Sequence, residues 1–174
     1  AGLANVINAG GGSNRITALG GANVINAVGS HEGQAWGVSG GHYVSLGWWG
    51  RYWVNDYGWV AGKGDEGNNV IDVAGGANKV TTGLGNDSIV AAGAANIINA
   101  GGGNNSVTAL GGGNSVTTGS GNDTITVGGA TRNTVNAGDG NNTITGVGLV
   151  GNIINSGTGN DTINAAGIAN VINA

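Results

Sequence analysis

Residues 69–122 read as six consecutive nonapeptides: NVIDVAGGA NKVTTGLGN DSIVAAGAA NIINAGGGN NSVTALGGG NSVTTGSGN. Each unit opens with Asn or Asp, has Ile or Val at its third position and closes in a turn that contains glycine. The same unit continues to Ala174, and three further copies open at Asn5, Asn14 and Asn23. A fixed short period predicts a solenoid, in which each unit buries its apolar face only against neighbouring units.

The pattern inside the unit predicts short strands. The third residue is always β-branched and is flanked mostly by Ser, Thr or Asn, which favours a strand with an inward apolar side chain. The next inward residue is usually small, as at Ala91, Ala100 and Ala109, so the two walls must lie close together. Glycines recur too often for a helical run to survive. We therefore predict an all-β fold, a parallel β-roll or β-solenoid.

Two kinds of turn alternate along the chain. At the first edge, glycine lies four and two residues before the Asn or Asp, as Gly83 and Gly85 do before Asp87. At the second edge, glycine lies three residues before it, as Gly75 does before Asn78. One coil is therefore two units, roughly 18 residues, and two parallel sheets should face each other across a thin core.

Three first-edge runs resemble a known repeat. They read GLGNDSI at 83–89, GSGNDTI at 119–125 and GTGNDTI at 157–163. These runs resemble the nonapeptide of the repeats-in-toxin (RTX) family, whose units wind into calcium-binding parallel β-rolls. The resemblance implies a secreted, extracellular protein at a bacterial surface that folds as calcium enters the turns. It also implies that aspartate side chains and turn carbonyls hold Ca²⁺.

The predicted calcium-binding residues are two glycines and one Asn or Asp from each of five first-edge turns: Gly83, Gly85, Asp87, Gly101, Gly103, Asn105, Gly119, Gly121, Asp123, Gly138, Gly140, Asn142, Gly157, Gly159 and Asp161. Aspartate alternates with asparagine in this row, and the second edge has only asparagine. Calcium affinity rises with ligand charge, so mixed Asp and Asn sites should be weaker and the second edge should bind none. The alternative is an asparagine ladder, in which stacked amides bond to each other and to the turn backbone without metal.

Composition excludes several function classes. Charged residues make up 8% of the chain and the net charge is −4, which argues against a nucleic-acid partner. The apolar runs are too short to insert into a membrane. Forty glycines with strictly periodic apolar positions fit a stacked roll rather than disorder. The chain starts inside the repeat without Met, so we expect a processed protein or a piece of a longer one.

An aromatic insertion interrupts the repeat and suggests three segments: a first roll segment at 1–27, the insertion at 28–67 and the main roll at 68–174. Alternation in residues 42–46 and 51–54 predicts a β-hairpin that turns near Gly50. The aromatic side chains either form a small satellite core or make a binding surface for a protein or an extracellular polysaccharide. The candidate partner-binding residues here are Trp36, Trp48, Trp49, Tyr52, Trp53 and Trp59.

The acidic and histidine residues give little support for catalysis. No spacing that fixes an active-site geometry is found among the candidates, which are His31, Glu32, His42, Asp56, Asp65 and Glu66. We therefore predict that the protein is not an enzyme.

The two ends of the roll carry the main functional hypothesis. The terminal strands around Val6 and Ile7 and around Val171 and Ile172 are nearly identical, and neither carries a charge. Uncapped strand edges favour pairing with another chain. We therefore expect an extracellular protein that self-associates end to end, as a filament subunit or as a segment of an adhesin or matrix protein. The insertion would fill the strand that is missing at the joint.

Two alternatives belong to other classes. A carbohydrate-binding or adhesive module would use the tryptophans of the insertion. An ice-binding protein would use the flat outward array of Thr124, Thr126, Thr143 and Thr145, which is broken at Val90 and Asn164.

Overall fold

The computed structural model describes residues 4–27, 42–45, 51–54 and 67–174, and all the regular elements in these ranges are β-strands. They are β1 (Ala4–Asn8), β2 (Arg15–Leu19), β3 (Ala22–Ala27), β4 (His42–Ser45), β5 (Arg51–Val54), β6 (Val70–Thr82), β7 (Ser88–Gly101), β8 (Ser106–Thr118), β9 (Thr124–Gly129), β10 (Asn133–Asn136), β11 (Thr143–Gly148), β12 (Asn152–Asn155), β13 (Thr162–Ala166) and β14 (Val171–Asn173). In this part of the chain no helix is long and apolar enough to cross a membrane.

The strands wind into a parallel β-solenoid with two sheets. The first sheet contains β2, the first halves of β6, β7 and β8, and then β9, β11 and β13. The second contains β1, β3, the second halves of β6, β7 and β8, and then β10, β12 and β14. Equivalent residues stack in register, so Ile71 pairs with Ile89 and Ile125 with Ile144. The predicted fold, with about 18 residues per coil, is confirmed.

The core is a double row of inward side chains. The third residue of each unit is almost fully buried in all but the last coil, as Ile71 and Ile98 illustrate. The small inward residues Ala91, Ala100 and Ala109 are buried between the walls. Because each repeat unit contributes at most two inward apolar side chains and the second is usually small, the core is thin and depends on the coils above and below for cover.

First-edge glycines are required because consecutive turns touch through their backbones. Gly103 has φ of 99°, a left-handed conformation that side chains disfavour. A Cβ added there would also overlap the carbonyl of Gly85, one coil earlier. Gly12 has a similar φ of 87°, but a Cβ there would meet no atom within 4 Å. Glycine is therefore needed for stacking at Gly103 and only for conformation at Gly12.

The N-terminal end of the roll is covered by the chain itself. β4 lies beside β2 in antiparallel orientation, β5 pairs antiparallel with β4, and β5 contacts β1. Asn5 and Ile7 of β1 are 0% exposed. The prediction that Ile7 belongs to an open end is therefore wrong, because its side chain lies in the closed core. The turn predicted at Gly50 lies outside the described residues.

The last coil, which contains β14, is more exposed than the coils before it. Ile172 in β14 is 47% exposed, whereas Ile154, at the equivalent position one coil earlier, is completely buried. Val171 is 53% exposed and Ile168, in the preceding turn, is 91% exposed. The inward face of the last coil therefore lacks the cover that a further coil provides elsewhere.

Candidate metal centre at the first edge

The first edge carries an inner row of Asn and Asp side chains, one per coil. Each backbone N–H in the row donates to Oδ1 of the next residue, over 2.7 to 3.1 Å. The inner row consists of Asn14, Asn69, Asp87, Asn105, Asp123, Asn142 and Asp161. Side chains at this position therefore bridge consecutive coils, and Oδ1 does so whether the residue is Asn or Asp.

The asparagines of the inner row also close their own turns. Nδ2 of Asn105 donates to the carbonyl oxygen of Gly103 at 3.0 Å and to that of Gly101 at 3.4 Å. Nδ2 of Asn142 donates in the same way to Gly140 at 3.1 Å and Gly138 at 3.3 Å. These carbonyls, predicted as calcium ligands, are therefore held by an amide from the same turn.

An aspartate in the inner row cannot close its own turn in this way, because a carboxylate has no N–H to donate. Oδ1 of Asp123 accepts the N–H of Asn105 at 2.7 Å. Oδ2 replaces the amide nitrogen, so the turn has one more oxygen and two fewer hydrogens than an asparagine turn. Asp123 is 1% exposed, and its Oδ2 is buried without a hydrogen-bond partner. Burial raises the pKa of Asp123, although the nearby Thr118 hydroxyl and the hydrogen bond from Asn105 oppose this effect.

A divalent cation fits this chemistry. A buried carboxylate oxygen without a donor is costly, and calcium prefers carboxylate and carbonyl oxygens. The glycine carbonyls at positions 119 and 121 would complete the set around Asp123, since their equivalents at 101 and 103 face the side-chain amide of Asn105. Within the described ranges no three acidic or histidine side chains come together. Each turn would therefore hold its ion mainly with backbone oxygens and one aspartate.

The other two aspartates occupy the same position in different surroundings. Asp87 is 2% exposed, and its Oδ1 accepts both the N–H and the Nδ2–H of Asn69 at 2.8 Å. Asp161 lies in the open last coil. Its slight burial raises its pKa, but the nearby Ser156 hydroxyl and the hydrogen bond from Asn142 outweigh that effect and leave the pKa below its ordinary value.

The family follows from the repeat and its first-edge turns. The model of the RTX calcium-binding nonapeptide repeat matches residues 2–28, 63–89, 90–125, 127–146 and 150–167, which is well over half of the chain. The chain belongs to the RTX calcium-binding nonapeptide repeat family. RTX repeats bind Ca²⁺ between turns, which agrees with the calcium predicted from the sequence. Searches of curated proteins and of solved structures returned no match.

The second edge of this RTX roll is the asparagine ladder that the sequence analysis gives as the alternative to calcium. Nδ2 of Asn96 donates to Oδ1 of Asn114 at 2.7 Å and to the carbonyl of Leu110 at 3.1 Å. The same side-chain contact links all eight members of the row: Asn5, Asn23, Asn78, Asn96, Asn114, Asn133, Asn152 and Asn170. Direct amide contacts thus join consecutive coils at this edge.

A second row of asparagines, not predicted from the sequence, runs along the first edge. The backbone N–H of Asn104 donates to Oδ1 of Asn86 at 2.7 Å, and that of Asn122 donates to Oδ1 of Asn104 at 2.7 Å. This outer row runs in the opposite direction to the inner row and contains Asn68, Asn86, Asn104, Asn122, Asn141 and Asn160. The recurring Asn-Asn and Asn-Asp pairs were the signal that could have revealed it.

The predicted aromatic binding surface lies mostly outside the described residues. Trp36, Trp48, Trp49 and Trp59 fall there. Tyr52 and Trp53 lie in β5, whose backbone pairs with β4.

Proposed function

We propose that this RTX roll is an extracellular, non-catalytic structural protein, stabilised by calcium, whose copies stack head to tail. The open C-terminal coil carries the proposal. Stacking a further coil on it would cover Ile172, and burying the exposed half of an isoleucine side chain contributes about 1 kcal/mol. The family's usual secretion by bacteria supports the extracellular location.

The terminal sequences supply a partner for this end. Residues 169–174, 4–9 and 22–27 all read ANVINA. Within the chain, β1 pairs with β3 in register, so Asn5 lies beside Asn23 and Ile7 beside Ile25. The ANVINA segment that contains β14 can pair in the same way with β1 of another copy, because both sequences already form this contact inside one roll.

The second-edge ladder is complementary across the same joint. Asn170 Oδ1 accepts from Asn152, which leaves its Nδ2 facing the open end with only 3.4 Å contacts to Ala165 and Gly167. At the other end, Oδ1 of Asn5 is buried and has no hydrogen-bond partner among the described residues. A bond from Asn170 to Asn5 of the next copy would satisfy both groups.

The inserted strands lie at this joint. Pairing β14 with β1 leaves room for one strand between β13 and the next copy's β2, and β4 lies beside β2 in that position. β5 lies beyond β4 and contacts β1, so it must leave that contact when the joint forms. Assembly therefore requires β5 to leave β1, whereas β4 can remain beside β2 and fill the joint.

Negative-stain electron microscopy with analytical ultracentrifugation tests the stack. Wild-type protein in calcium should form fibres one roll wide. Ile172→Lys places a charge in the joint and should abolish them, whereas Ile97→Lys, at an outward position that is 55% exposed in the middle of β7, should leave them intact. Discrete monomers or closed pairs of the wild type would overturn the head-to-tail stack.

A second candidate, an ice-binding surface, rests on the outer face of the first sheet. Thr124, Thr143 and Thr162 stack in register, and Thr126 lies beside Thr145. These outward side chains form a short array of hydroxyl and methyl groups, which Asn164 interrupts beside Thr145. Thermal hysteresis in wild-type protein that Thr143→Lys removes would support this candidate, and absence of hysteresis would exclude it.

A further inference from the structure

A buried inward residue changes together with the ladder residue at the first edge. It is the last inward residue before the turn and lies opposite the Asn or Asp that follows the turn. Where that residue is asparagine, the inward residue is alanine: Ala9, Ala27, Ala100 and Ala137. Where it is aspartate, the inward residue carries a hydroxyl, which gives the pairs Thr82 with Asp87, Thr118 with Asp123 and Ser156 with Asp161.

The hydroxyls are buried in the thin core. Thr82 is 3% exposed, Thr118 4% and Ser156 0%. A buried hydroxyl is unfavourable unless it is bonded, and alanine fills the same place in four other coils. The presence of the hydroxyl therefore requires an explanation that applies only to the turns that contain aspartate.

The single hydroxyl proton is already used in two of the three pairs. Thr118 Oγ1 donates to the carbonyl of Ala137 at 2.7 Å, and Thr82 Oγ1 donates to that of Ala100 at 2.8 Å. The Thr118 hydroxyl also lies near the Asp123 carboxylate and acts to lower its pKa, but Oδ2 of Asp123 has no hydrogen-bond partner. One proton cannot satisfy both acceptors, so an oxygen lone pair of Thr118 or of Asp123 is left without a hydrogen.

We propose that Thr82, Thr118 and Ser156 are calcium ligands, each paired with the aspartate of its own turn. The proposal rests on the calcium role of the first edge and is independent of stacking. Two neighbouring oxygens can bind one cation, and a hydroxyl is a neutral oxygen ligand that can coordinate through a lone pair while its O–H still donates to a neighbouring carbonyl. In the turns between these three, Nδ2 of Asn105 or Asn142 donates to the glycine carbonyls of its own turn, so those turns bind no ion. The described roll thus has three calcium turns separated by two turns that need no metal.

Thr118→Val tests the ligand role, because valine has nearly the same shape and lacks only the oxygen. We expect calorimetric titration with CaCl₂ to show three sites in the wild type, with the affinity of one site lowered roughly tenfold or more in Thr118→Val. Thr118→Ser keeps the oxygen and should bind like the wild type. Unchanged calcium binding by Thr118→Val would overturn the proposal.

The hydroxyl also donates to Ala137, so a purely structural role must be separated from ligation. Thermal melts of wild type, Thr118→Val, Asp123→Asn and the double variant, in calcium and in chelator, do this. Ligation predicts that Thr118→Val reduces the calcium-induced rise in Tm only while Asp123 is present. An equal loss of Tm in both solutions and both backgrounds would show that only the bond to Ala137 matters. A wild type that binds no calcium would overturn both this proposal and the calcium role itself.

Discussion

Asp123→Asn should stabilise the roll without calcium and weaken its response to calcium. The variant replaces the buried Oδ2 by an amide nitrogen, which can donate to the carbonyls of Gly119 and Gly121 as Asn105 donates to those of Gly101 and Gly103. Removing an unsatisfied buried group relieves about 1–3 kcal/mol, and a new hydrogen bond adds about 1 kcal/mol. At about 2 kcal/mol, the lower end of this sum, the Tm in chelator should rise by about 4–8 °C.

Calcium should reverse the order of stability. A site whose ligand is present at 100 times its dissociation constant stabilises the folded state by about 2.7 kcal/mol. Asp123→Asn loses this stabilisation by calcium at one of the three proposed sites. Its calcium-induced rise in Tm should therefore be about one third smaller than that of the wild type.

Differential scanning calorimetry with EGTA and with CaCl₂ measures both effects. Asp72→Asn is the matched control, because Asp72 lies on the outer face of β6, away from the inner row. This control should show an unchanged response to calcium. A lower Tm of Asp123→Asn in chelator, or an undiminished calcium response, would refute the reasoning about the orphan oxygen.

Three further predictions concern the same edge. Ala100→Thr combined with Asn105→Asp should create an additional calcium turn, raising the number of sites in calorimetric titration by one; Asn105→Asp without the threonine should give a weaker site. Gly103→Ala should destabilise the roll by more than Gly12→Ala, for which left-handed strain alone predicts about 1 kcal/mol, and chemical denaturation compares the two. In chelator, the folded state binds a proton at Asp123 more readily than the unfolded state, because burial raises this pKa above 3.8. Acidification from neutral pH should therefore shrink the stability advantage of Asp123→Asn, whereas a constant difference in unfolding free energy between pH 7 and 4 would contradict the shift.

The repeat period made the fold predictable, because it determines which side chains point inward. Ile71 and Ile98 share one phase with the other buried β-branched residues, and a shift by one residue would expose them all. The asparagine ladder at the second edge followed from the same stacking, since identical amides on consecutive coils are in reach of each other.

The hydrogen bonds of the first edge were less predictable, because they depend on which side chains can donate a hydrogen bond and not on the spacing of the repeat. Asn105 and Asp123 occupy one position of the repeat, yet one donates to its turn carbonyls and the other cannot. Because the repeat pattern does not distinguish asparagine turns from aspartate turns, the role proposed for Thr118 was not predicted. The covered N-terminal end was missed because the sequence period does not say where an inserted strand packs, and β4 pairs with β2 of its own roll.

The second-edge amides all point the same way. Along the row, Nδ2 of each asparagine donates to Oδ1 of the asparagine in the next coil, as from Asn114 to Asn133 at 2.8 Å and from Asn133 to Asn152 at 2.9 Å. Aligned dipoles add along a chain of hydrogen bonds and polarise one another. The roll is therefore electrically polar along its axis, with the positive pole at β14. A fibre built from such units would have two chemically different tips, and subunits should join them at unequal rates.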